Sequence, residues 1–221
     1  MRIELSMHHS EHSDMDIKKE IKSVLETGLD IQEISVFPYN IKSIKRSIKK
    51  ENNVILSSPI DFPLGVSDTE SRLNQCAYAI SSGVQKIDIM APSSLIVNKK
   101  YDQMREEIAQ ITELCVSENI QYSYMLEYRM FTHSCLQRIC KMLKTLGIDT
   151  IYPSSGYMLD NIIDNIIASV YLTQKTGMKT VVNGDIWTIA QADKIIKQKP
   201  HGIRLKTIHS ARVLQDALRQ K

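Results

Sequence analysis

Lys86–Met90 reads KIDIM, Tyr101–Leu114 reads YDQMREEIAQITEL and Gln121–Leu126 reads QYSYML. The outer two segments are short and rich in β-branched or aromatic residues, as strands are. Between them Met104, Ile108, Ile111 and Leu114 recur at the three- and four-residue spacing that puts side chains on one helical face. A strand, a helix and a second strand in that order predict a parallel pair joined by a crossover helix, because parallel neighbours cannot be linked by a tight turn.

The same unit recurs on both sides of this stretch, and the alternation predicts eight strand and helix pairs. Upstream, Arg2–Met7 precedes a helix from about Asp16 to Gly28 with Ile17, Ile21, Val24 and Leu25 on one face. Glu33–Phe37 precedes a helix holding Ile41, Ile44 and Ile48, and Val54–Ser58 precedes a helix capped by Asp68 or Thr69 that runs to about Ser82. Downstream come a helix over about Thr132–Leu146, a strand at Thr150–Tyr152 and a helix within Leu159–Thr176. Lys179–Val182 then leads to a helix over Thr188–Lys197, and Gly202–Leu205 to a helix over about His209–Leu218. Eight pairs in 221 residues predict a single (β/α)8 barrel spanning 1–221, since such barrels run to about 200–250 residues. No linker, low-complexity tract or composition break interrupts the series. Strand counting alone does not establish closure, so an open doubly wound sheet is the competing architecture.

Hydrophobic residues make up 43% of the chain and charged residues 24%, the balance of a globular domain with a real core rather than of a disordered one. A net charge of +3 gives no footprint for nucleic acid. The one basic cluster, Lys42, Lys45, Arg46, Lys49 and Lys50, fits the solvated C-terminal end of a helix, where cations suit the dipole. No window reaches the roughly 18 apolar residues of a membrane span, and the amino terminus has no signal-peptide core. Cys76, Cys115, Cys135 and Cys140 form no CxxC pair and fall in helical patterns, which reads as reduced thiols in a cytoplasmic protein.

Phe62–Gly65 (FPLG), followed by Thr69 and Glu70, resembles the stretch after the third strand of deoxyribose-phosphate aldolases, F-P-x-G followed by threonine and glutamate. Ile87–Met90 is similar to that family's fourth strand with its catalytic aspartate, Val36–Pro38 to its second, and Leu126–Glu127 to the end of its fifth. Ser154–Gly156 resembles the S-T-G after the sixth strand, Asn183–Ile186 a degraded A-G-G-I after the seventh, and Arg204–Thr207 the last strand. The resemblance implies an aldolase-type barrel, lyase or condensation chemistry at a carbon–carbon bond, and self-association as a homodimer. It also implies a departure. The lysine that opens the family's K-T-S-T-G run forms a Schiff base, and a lysine after the seventh strand lowers its pKa. At those positions stand Tyr152, with Pro153 after it, and Val181. The family holds its substrate phosphate with a lysine after the S-T-G glycine, with a glycine pair, and with a G-x-S-S run. Here these read Tyr157, Gly184 with Asp185, and Lys206–His209, and a carboxylate at Asp185 opposes a phosphate.

The site therefore has to be assembled from what remains at the strand ends, where barrels carry their chemistry. Asp88 is the candidate general acid or base, or else a buried, hydrogen-bonded aspartate. Tyr152 offers a phenol or merely fills the lysine's volume. Lys206 is a relocated imine lysine or an anion ligand. Asp61, Glu127 and Asp185 are expected on the same face, either as an acidic pocket for an amine-bearing substrate or as helix caps, with Asn183, Ser154 and Gly156 beside them as substrate contacts. No organic cofactor is expected. The run His8, His9, Ser10, Glu11, His12, Ser13 and Asp14 makes a divalent metal possible, with His9 and His12 as ligands polarising a carbonyl in place of an imine. Two functions follow: an aldolase-like enzyme on a small carbonyl or amine-bearing molecule, or an inactive barrel kept for ligand binding or scaffolding.

Overall fold

Strand β1 (Arg2–Met7) pairs in parallel with β2 (Glu33–Val36) on one side and with β8 (Gly202–Leu205) on the other. Between them β3 (Ile55–Ile60), β4 (Lys86–Met90), β5 (Gln121–Met125), β6 (Thr150–Tyr152) and β7 (Lys179–Asn183) follow in chain order. Every neighbour is parallel and the ring is closed, so the fold is a single (β/α)8 barrel and not an open sheet. The computed structural model describes residues 1–48, 54–158 and 161–220. Lys49 and Lys50 of the basic cluster lie outside the described residues.

Around the ring lie α1 (Asp14–Leu25), α2 (Ile41–Lys45), α3 (Thr69–Ser82), α4 (Ser93–Val97), α5 (Tyr101–Ser117), α6 (His133–Thr145), α7 (Ile162–Thr176), α8 (Ile189–Gln198) and α9 (Ile208–Arg219). The N-caps explain why most of them start where they do. Ser13, Asp68, Thr132, Asn161, Thr188 and Thr207 each accept a backbone N–H of the first turn, which satisfies a donor the helix cannot. Among the departures from the sequence reading, α2 ends at Lys45, short of the Ile48 it was expected to hold. The short α4 precedes the expected helix, and β3 runs on to Ile60 through Pro59. Proline is tolerated there because the β2 ladder ends at Ser57, so no inter-strand donor is lost on that side.

Strand alternation sorts the side chains. Leu5, Met7, Ile87, Ile89, Ile203 and Leu205 point outward and are fully buried under the helices. Ile17 and Ile21 of α1, Ile108 and Ile111 of α5, and Leu214 of α9 meet them in one continuous core. Each such side chain contributes on the order of 1.5–3 kcal/mol of burial. The residues between them point into the barrel, and their chemistry is different. Among the described residues, no helix is long and apolar enough to cross a membrane.

Candidate active site at the barrel mouth

The two-residue period of the strands aims Glu4, Glu33, Lys86, Asp88, Tyr152 and Arg204 at one another inside the ring. All six are buried. Lys86 Nζ lies 2.9 Å from Glu33 Oε2 and from Asp88 Oδ1, and donates to the Tyr152 hydroxyl at 2.7 Å. Arg204 Nη2 donates to the same hydroxyl at 2.6 Å, its Nε donates to Glu4 Oε2 at 2.9 Å, and Nη2 pairs with Asp88 Oδ2 at 2.8 Å. The hydroxyl in turn donates to Glu4 Oε2 at 2.7 Å, while Ser57 and Ser123 donate to Glu33 and Asp88. From below, Arg2 reaches Glu4 at 2.9 Å and Glu33 at 2.5 Å. Three carboxylates thus face Arg2, Lys86 and Arg204, which is how buried charge is made tolerable.

This wiring fixes the protonation states. Burial pushes the Asp88 carboxyl up, but the Arg204 guanidinium and the Lys86 ammonium outweigh it and hold the group below the usual carboxylate range. Burial opposes the charge on Lys86, yet Asp88, Glu33 and Glu4 raise its pKa, so it stays an ammonium. Burial and then Glu4 push Glu33 up. Burial also drives the Tyr152 phenol well above its ordinary value. An ionised carboxylate held by two cations is a poor proton carrier, and a protonated lysine is no nucleophile.

Of the residues expected to share a cavity, Asp88 and Tyr152 do meet, through Lys86 and Arg204. Lys206 stays at the rim, where its partly buried Nζ donates to Gly156 O at 2.8 Å and lies 3.7 Å from Asp185. Asp61 is engaged within its own loop and helix, accepting from Ser67 Oγ at 2.7 Å and sitting 3.4 Å from the buried Arg72. Its loop folds back because Gly65, at φ +66, packs on Ala91, where a Cβ would come within 2.2 Å of the Ala91 carbonyl oxygen. Glu127 accepts the Ser155 N–H at 2.7 Å and ties two strand-end loops together. Asn183 Nδ2 donates to Ser155 O at 2.7 Å, and the Ser154 hydroxyl accepts the Gly156 N–H at 3.0 Å. These groups shape the rim by binding its backbone.

His8, one of the three imidazoles in the first loop, reaches the mouth itself. It continues the inward face of β1, between Ser6 Oγ at 3.0 Å and Ser35 Oγ at 2.9 Å. Burial, then Arg204, lowers its pKa to about 3, so the ring is neutral. Its ring lies 5.2 Å from that of Phe37 and 4.9 Å from that of Phe62, and Phe62 stands 5.6 Å from Tyr157. Phe62 also packs on Met90, Met125, Tyr152 and Val181, forming an apolar layer above the charges. His8, Glu4, Glu33, Lys86 and Arg204 were not singled out as site residues from sequence. Their signal is the polar residue at every second position of the strands.

No protein-family model matches the chain. Among curated proteins it is similar to the deoxyribose-phosphate aldolase of Treponema denticola, 26% identical over 56% of this chain and 57% of that one. The enzyme of the same name from Thermococcus kodakarensis is 24% identical over 64% of this chain and 63% of its own length. The matched stretch thus spans less than two thirds of either relative. A third, from Picosynechococcus, is 21% identical over 97% of this chain and 90% of its own. The Aeropyrum pernix deoxyribose-phosphate aldolase, solved as a tetramer, has the same fold, with a TM-score of 0.81 at 18% identity over 99% of this chain and 89% of that one. The chain resembles the deoxyribose-phosphate aldolases in sequence and in fold.

Two places bear on how far that likeness to deoxyribose-phosphate aldolases extends. Asp185 lies at the N-terminus of α9, 3.3 Å from Ser210 Oγ and 3.4 Å from Thr207 Oγ1, so a carboxylate of the chain already meets the helix end and Lys206. Outside the barrel interior, His9, His12 and Glu20 bring metal-ligating atoms within 4.8 Å of one another. His9 and His12 are thus neighbours beside Glu20 of α1, away from the inward face that His8 continues. Cys76, Cys115 and Cys140, their thiols pushed up to about 12 by burial, offer no thiolate.

Proposed function

We propose that this chain is an aldolase-like enzyme of the lyase class, a divergent relative that acts beside the carbonyl of a small, unphosphorylated substrate without forming an imine. The observation that carries this reading is the charged floor of the barrel. Packing Glu4, Glu33, Asp88, Lys86 and Arg204 there costs more than an apolar filling would, and strongly perturbed groups gather where chemistry needs fixed charge. An imine is disfavoured because Tyr152 stands where the family's lysine is expected and the buried Lys86 is held as an ammonium.

In this reading Lys206 polarises the carbonyl oxygen from the rim, and the neutral His8, by switching tautomer between Ser6 and Ser35, relays the α-proton to solvent, which returns a proton to the same carbon. Asp88 and Tyr152 supply a fixed field and no proton. Ser154, Gly156 and Asn183 shape the substrate cleft, while Asp185 takes the place of a substrate phosphate. The chain acts as one domain over 1–221, and we take self-association as a homodimer and a cytoplasmic setting, in keeping with four unpaired cysteines, as parts of the same proposal.

Proton exchange tests it. Wild-type protein in D2O should exchange the α-protons of hydroxyacetone or acetaldehyde, read by NMR, and Lys206→Met should abolish this. Borohydride should trap no adduct. A covalent adduct, or turnover of phosphorylated aldehydes alone, would overturn the reading. The aromatic layer of Phe37, Phe62 and Tyr157 favours one alternative, a barrel that binds ligand without turnover. Saturable binding of these carbonyl compounds with no exchange would select it.

A further inference from the structure

His9, His12 and Glu20 lie on the side of β1 opposite the barrel interior. Because strand residues alternate, His8 enters the mouth while His9 turns outward toward α1. The turn closes with His12 N–H donating to His9 O at 3.4 Å, which brings the two imidazoles to 4.5 Å between ring centroids. Immediately afterwards Ser13 and Asp16 form a capping box that fixes the start of α1. Glu20, on that helix, places Oε2 3.6 Å from His12 Nδ1. That is too long for a hydrogen bond, and His9 Nε2 and His12 Nδ1 are both buried atoms without a hydrogen-bond partner. A buried polar atom left unpaired is disfavoured, so two in one turn call for a ligand.

We propose that His9, His12 and Glu20 bind one divalent transition-metal ion, with zinc as the best fit. Two imidazole nitrogens and one carboxylate oxygen form a donor set that zinc accepts with a fourth position left for water. Bonds of about 2.0–2.2 Å in a tetrahedron put donor atoms about 3.4 Å apart. The His12 and Glu20 atoms already stand near that spacing, and side-chain rotation brings His9 in. Glu11 Oε1 lies 3.8 Å from His9 Nδ1, positioned to take the N–H of a ring that ligates through Nε2, as carboxylates behind metal-bound histidines do. The ion clips the first loop to α1 and thereby steadies the turn from which His8 enters the mouth. It does not touch the barrel interior, and the proposal stands independently of the catalytic reading.

The test uses the full chain, stripped with chelator. Titrated with Co2+, it should develop the visible bands of a tetrahedral site at one equivalent, and Zn2+ should displace them. His12→Ala and Glu20→Gln should each abolish the bands, and Glu11→Gln should weaken binding by about 10-fold or more. Zn2+ should raise the melting temperature of the wild type and leave that of His12→Ala unchanged. Because these side chains are partly exposed, the metal-free variants should melt with the metal-free wild type, which separates ligand loss from misfolding. Absence of binding by the wild type, or an unaltered stoichiometric site in the His9→Ala/His12→Ala double variant, would overturn the assignment.

Discussion

The two faces of the barrel strands are built on opposite principles. Along β4 the outward residues Ile87 and Ile89 are apolar and fully buried, while the inward Lys86 and Asp88, one position away, are ionised and buried too. Apolar contacts are non-directional, so the outer face loses stability in proportion to the volume removed. The floor of the inner face is a closed set of charges, in which removing one member strands the others. The largest expected effect follows from this. Arg204→Met leaves Glu4 and Asp88 without their shared guanidinium and should cost about 3–5 kcal/mol in urea unfolding at pH 7. A loss no greater than that of a single methyl group on the outer face would break the distinction.

Cooperation inside the network can be measured directly. Lys86 and Glu33 are in contact at 2.9 Å, and the Lys86→Met and Glu33→Gln variants should not be additive. With Glu33 neutral, the loss of Lys86 strands less charge, so the double variant should be more stable than the sum predicts by about 0.5–3 kcal/mol. Additivity within error would mean that the partners act one by one.

His8 sharpens the comparison through pH. Its folded pKa of about 3 lies below the ordinary value of about 6.5, so between those limits the unfolded chain binds a proton that the folded one does not. Stability contributed by the neutral ring is therefore present above about pH 6.5 and is lost as pH falls toward 3, at no more than about 1.4 kcal/mol per pH unit. The raised Glu33 works in the opposite sense, gaining stability as it protonates in the fold. The difference between wild type and His8→Phe isolates the imidazole. That variant should lose less stability between pH 6.5 and 4.5, and parallel curves would remove His8 from the buried set.

The strand and helix order was legible because the outer face carries it. KIDIM, QYSYML and the helix between them differ in period, and period survives in a linear sequence. Boundaries held best where a capping residue marked them, as at Asp68 and Thr132. The site was legible only in part. Asp88 and Tyr152 are legible by resemblance and share Lys86 and Arg204 as partners, whereas Lys86, Arg204, Glu4 and Glu33 carry no motif, although the alternation that places Asp88 inward places Lys86 inward too. What no pattern encodes is which inward groups come from strands far apart in the chain, as when Arg204 reaches Glu4 across the closure of the ring. The partner of Asp61 is illegible for a similar reason, since Arg72 lies on a helix and meets the carboxylate across the Gly65 turn.

The smallest expected effect tests the outer face alone. Ile87 lies between Lys86 and Asp88 in sequence, yet its side chain points to the helices and is fully buried among apolar neighbours. Ile87→Val removes one methylene and leaves a small cavity, which should cost about 0.5–1.5 kcal/mol. Because the deleted group touches no titrating partner, the loss should be the same at pH 7 and at pH 5, read from denaturant midpoints with an unchanged m-value. A cost that varies with pH would mean that packing outside the strand transmits strain to the charges within. The two faces would then share one energetic unit, and the pH dependence assigned to His8 would have to be divided among them.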